Sequence, residues 1–329
     1  MKSFWSSIVC AALVLACIAA PAHFASAQTA PRAVAGPQKV IIDTDIGDDI
    51  DDAFAVALAL SSHRVQILGI TTAWGDTDLR ARLAERLLTA TGHTAIPVSA
   101  GPETKPTNTF TQRLWASHFP NRHWGSAVSF IASEIHRYPG QITLICIAPL
   151  SNIGALIQKD PAAFHQLRRV VMMGGSIYRG YGDLGFLPSH GPSPEYNIRT
   201  DIPAAKELFA SGVPIYLMPL DSTQLKLNEV LRAKLFSRDT RATNALTELY
   251  EEWTNATQNP TPTLYDAMAV ADVLKPSLCP TTPLHIAVDD QGYTRVEPGP
   301  PNANVCLRSN STRFFHFYFH TLLGEAPSH

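Results

Sequence analysis

The sequence predicts an α/β fold with a mostly parallel central sheet and helices on both faces. Three observations lead to it. From residue 39 onward short apolar runs alternate with segments of helical period, no internal repeat is present, and no linker divides residues 38–329, which are expected to form a single domain. Strand–helix alternation joins parallel strands through crossover helices. In such sheets ligands bind beyond the carboxyl ends of the strands.

In chain order, residues 1–27 read as a secretory signal peptide. Lys2 gives a positive start, an apolar stretch covers 8–20, and Ala25-Ser26-Ala27 offers a small-residue cleavage site. The apolar stretch is too short to span a bilayer, and no later segment is long and apolar enough. An exported protein, periplasmic or secreted, without stable membrane insertion is expected. Anchoring as a lipoprotein through Cys17 is the weaker alternative, because Leu15 fits poorly before the small residue. Residues 28–37 form a short disordered lead. Strands are expected at 39–43, 65–72, 142–148, 170–173 and 215–220, and helices at 53–61, 79–91, 127–138 and 203–211. Residues 104–125 and 180–193 are expected as long loops, of the kind that serve as lids or binding loops. After the turn-rich residues 255–263, LYDAMAVADVL is an apolar helix with an acid at its start, and 285–307 alternates like strands around Asp289-Asp290-Gln291-Gly292. Cys146 lies in an apolar run and is expected as a buried thiol. Cys279 and Cys306 can pair in an oxidising compartment if their Cα atoms lie close enough.

With 45% hydrophobic and 16% charged residues and a formal net charge of −2, the composition is that of a globular protein and carries no footprint for nucleic acid. One stretch departs from this balance. DTDIGDDIDDAFA, residues 43–55, holds six carboxylates and no basic residue between the first strand and the first helix. Capping and the helix macrodipole account for one or two acids at a helix start, not for six. A hard divalent cation, bound by several oxygens, accounts for the excess. An EF-hand is excluded, because its required Gly position is Asp48 and its closing Glu position is Phe54. Asp43-Thr44-Asp45 at a strand end leaves open a Mg²⁺-dependent phosphoryl-transfer site.

The acidic stretch resembles the N-terminal signature of the inosine–uridine preferring nucleoside hydrolases. Further blocks follow in that family's order: GITTAWGD at 69–76, ITLICIAPLSNIGAL at 142–156, VVMMGGS at 170–176, PEYNI at 194–198 and YDAMAVA at 265–271. The resemblance covers roughly residues 38–323. It implies a Rossmann-like nucleoside hydrolase fold, Ca²⁺ as cofactor, a nucleoside as small-molecule partner, and a homodimer or homotetramer. Carried over by position, Asp45 contacts both Ca²⁺ and the attacking water, Asp52 and Asp266 are further Ca²⁺ ligands, and the backbone carbonyl of Ile147 completes the shell. Asp51 bonds the ribose hydroxyls, Met173, Glu195 and Asn197 line the ribose, and Asp43 supports the loop. Asp48 and Asp49 exceed the shortest form of the motif, so the later pair, Asp51 and Asp52, is aligned with the family's acids. The chemistry agrees with these roles, since cleaving an N-glycosidic bond develops positive charge on the sugar, which carboxylates favour.

Three departures from the family pattern bear on substrate. Less selective members carry His before the late calcium Asp as a leaving-group acid; this chain has Tyr265, which is similar to the stacking aromatic of purine-selective members. Asp76 replaces a frequent Asn after the second strand and is taken as substrate-binding. An Asn expected after Met173-Gly174-Gly175 has no clear counterpart, with Arg179, Tyr181 and Asp183 as candidates. The expected activity is Ca²⁺-dependent hydrolysis of ribonucleosides to base and ribose, purines somewhat favoured. The alternatives are a Mg²⁺ phosphatase with Asp43 as nucleophile and a calcium- and ribose-binding protein without turnover. His118 and His123, with Trp115 and Trp124, read as an ordinary polar loop before an acid or a stacking group. Asp221 reads as a strand-end hydrogen-bond acceptor, His190 as solvated, and Phe314, Phe315, Phe317, Tyr318 and Phe319 as a core-facing stripe.

Overall fold

The computed structural model describes residues 36–184 and 190–324, so the leader expected at 1–27, most of the lead and part of the 180–193 loop lie outside the described residues. The described residues form ten strands: β1 (Gln38–Thr44), β2 (Val65–Thr72), β3 (Val98–Ala100), β4 (Ile142–Ile147), β5 (Arg169–Met173), β6 (Ile215–Met218), β7 (Thr282–Leu284), β8 (Ile286–Val288), β9 (Thr294–Val296) and β10 (Ala303–Val305). Eight make one sheet in the order β3-β2-β1-β4-β5-β6-β10-β7, in which β7 runs antiparallel to β10, while β8 and β9 form a separate antiparallel hairpin. The chain winds outward from β1 to β3 and then returns to place β4 on the other side of β1. Strand order therefore reverses between β1 and β4, and the crevice beyond their carboxyl ends is where such sheets hold ligands. Thr44 and Ile147 stand side by side there.

Strands that are apolar at consecutive positions need cover on both faces. Val40 and Ile42 of β1 enter one core and Ile41 the other, each 0% exposed. In β4, Ile145 and Ile147 join the first core, and Leu144 and Cys146 the second. Helices Asp51–Leu60, Thr77–Thr91, Ala267–Leu274 and Ser311–Leu323 cover the first face; Ala127–Arg137, Ser151–Lys159 and Ile202–Ala210 cover the second. Burying each large aliphatic side chain contributes roughly 1.5–3 kcal/mol, which makes the sheet a rigid platform for the turns at its ends.

The strand expected over 215–220 stops at Met218, because Pro219 cannot donate to a ladder and Leu220–Thr223 begins a short helix. The expected 104–125 loop contains a helix at Arg113–Ser117. The aromatic stripe 314–319 packs inward, with Phe314 and Tyr318 fully buried. Cys279 and Cys306 are bonded, their Cα atoms 5.6 Å apart, and Cys146 is a buried free thiol. Among the described residues no helix is long and apolar enough to cross a membrane.

Candidate cation and active site

The acidic turn is held from two sides. Gly47 has φ +126°, and the Phe110 ring occupies the space where a Cβ would stand, so no other residue fits there. From the long loop, Thr111 Oγ1 donates to the Asp48 carbonyl at 2.7 Å and the Gln112 side-chain amide donates to the Asp49 carbonyl at 2.7 Å. From the other side the Arg80 guanidinium pairs with Asp48 at 2.9 Å and donates to the carbonyls of Asp45 and Ile46. The turn then delivers Asp51 and Asp52 into the first turn of helix Asp51–Leu60, where the macrodipole favours acids.

Asp266, which opens helix Ala267–Leu274, meets them there. Asp51, Asp52 and Asp266 each offer a carboxylate oxygen, all within 4.8 Å of one another, and the three residues are buried. Asp51 Oδ2 accepts from the Asp266 amide at 3.3 Å, and Asp52 Oδ1 accepts from the Thr44 hydroxyl. Burial first, and then repulsion by neighbouring acids of the turn and of one another, pushes all three carboxyls well above the usual carboxylate range. Burial lifts Asp45 to about 7, against the pull of Arg80. Several hard oxygens facing one another in this way form a donor set that fits a divalent cation, since a bound positive charge restores their ionised form.

The cavity above them has a volume of about 260 Å³. Asp45, Asp48, Asp49, Asp51, Asp52, Asp266 and Ile147 line it, and so do Met173, Glu195, Asn197 and Tyr265. The structure thus brings together every residue singled out for the site except Asp76. Asp76 is instead the N-cap of helix Thr77–Thr91, its carboxylate accepting from the Leu79 amide at 3.0 Å, and it does not line the cavity. Glu195 lines the cavity, but both of its oxygens also accept backbone amides, of Asn197 at 3.0 Å and Gly175 at 2.8 Å. Asn197 donates to the Met173 carbonyl at 3.1 Å. Asp43 is 0% exposed, accepts from Thr71 Oγ1 and Asn152 Nδ2, and lies outside the cavity lining, which removes it as a phosphatase nucleophile. Asp221 accepts from the amides of Ile177 and Tyr178, as a strand-end support. Trp115 and Trp124 are buried on Glu248 and Glu85, while His118, His123 and His190 are exposed.

Of the candidates for the missing Asn, Tyr181 reaches the cavity, whereas Arg179 and Asp183 line a different one of about 660 Å³. Tyr181 meets Tyr265 edge to face, ring centroids 6.1 Å apart. Asn108, Tyr196 and Arg199 line the cavity without having been singled out. Tyr196 was visible inside the PEYNI block, but only the turn geometry aims it at the cavity.

The sequence model of the family described as inosine-uridine preferring nucleoside hydrolase matches residues 40–316. The chain belongs to that family. It is 36% identical over 200 residues to an uncharacterized protein of Schizosaccharomyces pombe, covering 56% of this chain and 62% of that one. It therefore spans about three fifths of that relative's length. It is 29% identical over 279 residues to the pyrimidine-specific ribonucleoside hydrolase RihB of Escherichia coli, covering 77% of this chain and 83% of RihB. The fold is similar to that of the purine-preferring ribonucleoside hydrolase from Gardnerella vaginalis, with a TM-score of 0.73 at 24% identity over 87% of this chain and 98% of that one.

Proposed function

We propose that the chain hydrolyses the N-glycosidic bond of ribonucleosides to free base and ribose, with Ca²⁺ as cofactor and purines favoured. The observation that carries this reading is the meeting of Asp51, Asp52 and Asp266 at the β1/β4 switch point, beneath a cavity whose wall includes Met173, Asn197 and Tyr265. Asp45, Asp52, Asp266 and the Ile147 carbonyl would hold the ion. When bound, it supplies an anchor for the ribose diol and a water of lowered pKa.

The chain's own residues do the rest. As the bond from C1′ to the base nitrogen breaks, its electron pair leaves with the base, and the carboxylates offset the positive charge growing on the sugar. The water oxygen bonds C1′ while its proton passes to the Asp45 carboxylate, which the cation beside it would keep ionised. Asp51 accepts from the ribose hydroxyls. Burial, and next the charge of Asp51, pushes the Tyr265 phenol to about 12. It therefore stays protonated at neutral pH, with its ring on the wall beside the departing base, which takes up a proton from solvent as it leaves.

The aromatic corner of Tyr265 and Tyr181 supports the purine preference, because a larger π surface gains more from it. Pyrimidine turnover is the second reading, favoured by the specificity in RihB's name. The proposal extends to export through the 1–27 leader, which the Cys279–Cys306 bond supports as a feature of oxidising compartments, and to a homodimer or homotetramer.

Release of reducing sugar from inosine, adenosine and uridine tests the reading. Wild type is expected to favour the purines in kcat/KM. Stacking is worth ~1–3 kcal/mol per base, so Tyr265→Ala is expected to cost purines on the order of 10–100-fold and uridine much less. A uridine preference unchanged in Tyr265→Ala overturns the purine assignment. No release from any nucleoside overturns hydrolysis and leaves the binding-protein alternative.

A further inference from the structure

Arg80 belongs to helix Thr77–Thr91, which supplies none of the clustered acids, yet its guanidinium enters the acidic turn. The residue is 2% exposed. Nε donates to the Trp74 carbonyl at 2.7 Å, and Nη1 donates to the carbonyls of Asp45 and Ile46. The fork closes on Asp48, from Nη1 at 3.1 Å and from Nη2 at 2.9 Å. Its seat is prepared by neighbouring residues. Asp76 caps the helix, the Phe110 ring lies 5.5 Å from the guanidinium carbon, and Trp74 holds a left-handed φ of +65°, rare for a bulky residue.

We propose that Arg80 and Asp48 are a positioning pair for the cation site. The pair fixes the backbone from Asp45 to Asp48, so that the carboxylates of Asp45 and Asp52 converge with Asp266 on one ion and Asp51 stands beside it. The proposal rests on the cation-dependent reading of the site, but its main readout needs no turnover. Two features set it apart from simple charge compensation. The guanidinium divides its donors between three backbone carbonyls and one acid, so it fixes geometry as well as charge. Asp48, one of the two acids beyond the shortest motif, turns to Arg80 and stays out of the Asp51–Asp52–Asp266 group. A lysine would supply the same charge without the planar fork.

The test titrates Ca²⁺ into chelator-stripped wild type, Arg80→Lys, Asp48→Asn and the Arg80→Met/Asp48→Asn double variant by calorimetry. Thermal midpoints in EDTA, and kcat and KM for inosine and uridine, are measured alongside. Partners that orient metal ligands typically contribute 10–100-fold to metal affinity or activity. Arg80→Lys is accordingly expected to bind Ca²⁺ at wild-type stoichiometry but at least ~10-fold more weakly, with the loss in turnover falling on kcat rather than KM. Asp48→Asn is expected to behave alike. Wild-type affinity and kcat in Arg80→Lys would reduce Arg80 to a counter-charge and overturn the proposal. If Arg80→Lys does not fold, unchanged Ca²⁺ affinity in Asp48→Asn and in the double variant overturns it. Complete loss of binding in folded Asp48→Asn would make Asp48 a ligand and also overturn it. A wild type that binds Ca²⁺ but cleaves no nucleoside defeats the hydrolase reading alone, and the affinity of Arg80→Lys still decides the positioning role.

Discussion

Asp266 and Asp272 sit at opposite ends of one helix, Ala267–Leu274, and both are buried, at 4% and 1% exposure. At the amino end of the sheet, Asp272 faces Arg169 at 3.8 Å, beside Gln38, whose amide oxygen accepts from the same guanidinium. At the carboxyl end, Asp266 faces Asp51 and Asp52, and its repulsion by them adds to the cost of burial. The same residue type in the same helix is thus paired where the sheet only needs support, and crowded by like charge where the strand order reverses. Unbalanced buried charge is costly unless a ligand offsets it. The difference separates a structural acid from a site acid.

Substitution at the two ends is the strongest way to break this comparison. Asp266→Ala is expected to abolish calcium binding and turnover, while the thermal midpoint in EDTA holds or rises because a repulsion is gone. Asp272→Ala is expected to keep both calcium binding and turnover and to lose roughly 1–3 kcal/mol of stability, because Arg169 is left buried without its acid. Calorimetric calcium titration and urea unfolding in EDTA check the pair; like behaviour of the two variants would erase the distinction.

Asp45→Asn sharpens it within the site. Its fold and midpoint are expected to survive, and kcat is expected to fall by ~10²–10⁴, the usual contribution of a general base. A fall of less than about tenfold would remove Asp45 from that role.

The smallest effect is in the pH dependence of stability without a cation. Burial raises Asp43 and Asp272 to about 6 and Asp45 to about 7, above the ordinary 3.8. Between 3.8 and those values the folded chain holds protons that the unfolded chain has lost, so stability is greatest in acid and falls as pH rises through about 6–7. Urea unfolding in EDTA at pH 5 and 7.5 is expected to give the lower stability at pH 7.5, with saturating Ca²⁺ offsetting that loss. A cation-stripped protein that gains stability over this rise would contradict the net cost of burying these carboxylates.

Much of the fold was legible because its strands are apolar on both faces and are punctuated by polar turns; β2 matches its expected bounds of 65–72. The overrun past Met218 came from Leu220, which is as apolar as a strand residue but opens a helix after Pro219. The acids of the turn were legible as an excess of charge, whereas Asp51 and Asp52 were set apart from Asp48 and Asp49 only by alignment with the family's acids; the structure groups Asp51 and Asp52 with Asp266. Arg80 was not, since nothing local marks a helix arginine that closes on carbonyls more than thirty residues earlier in the chain. Asp76 was misplaced for the opposite reason. Its position matched a family site, but locally an Asp three residues before a helical amide is a cap.

Calcium titration of chelator-stripped wild type, with ribose release followed in the same samples, tests the central claim most directly. One equivalent of tightly bound Ca²⁺ is expected, with turnover rising in step with site occupancy and vanishing again in EDTA. Full turnover in EDTA, or calcium binding that leaves hydrolysis unchanged, would contradict the assignment of the Asp51–Asp52–Asp266 cluster as the cation centre of the reaction.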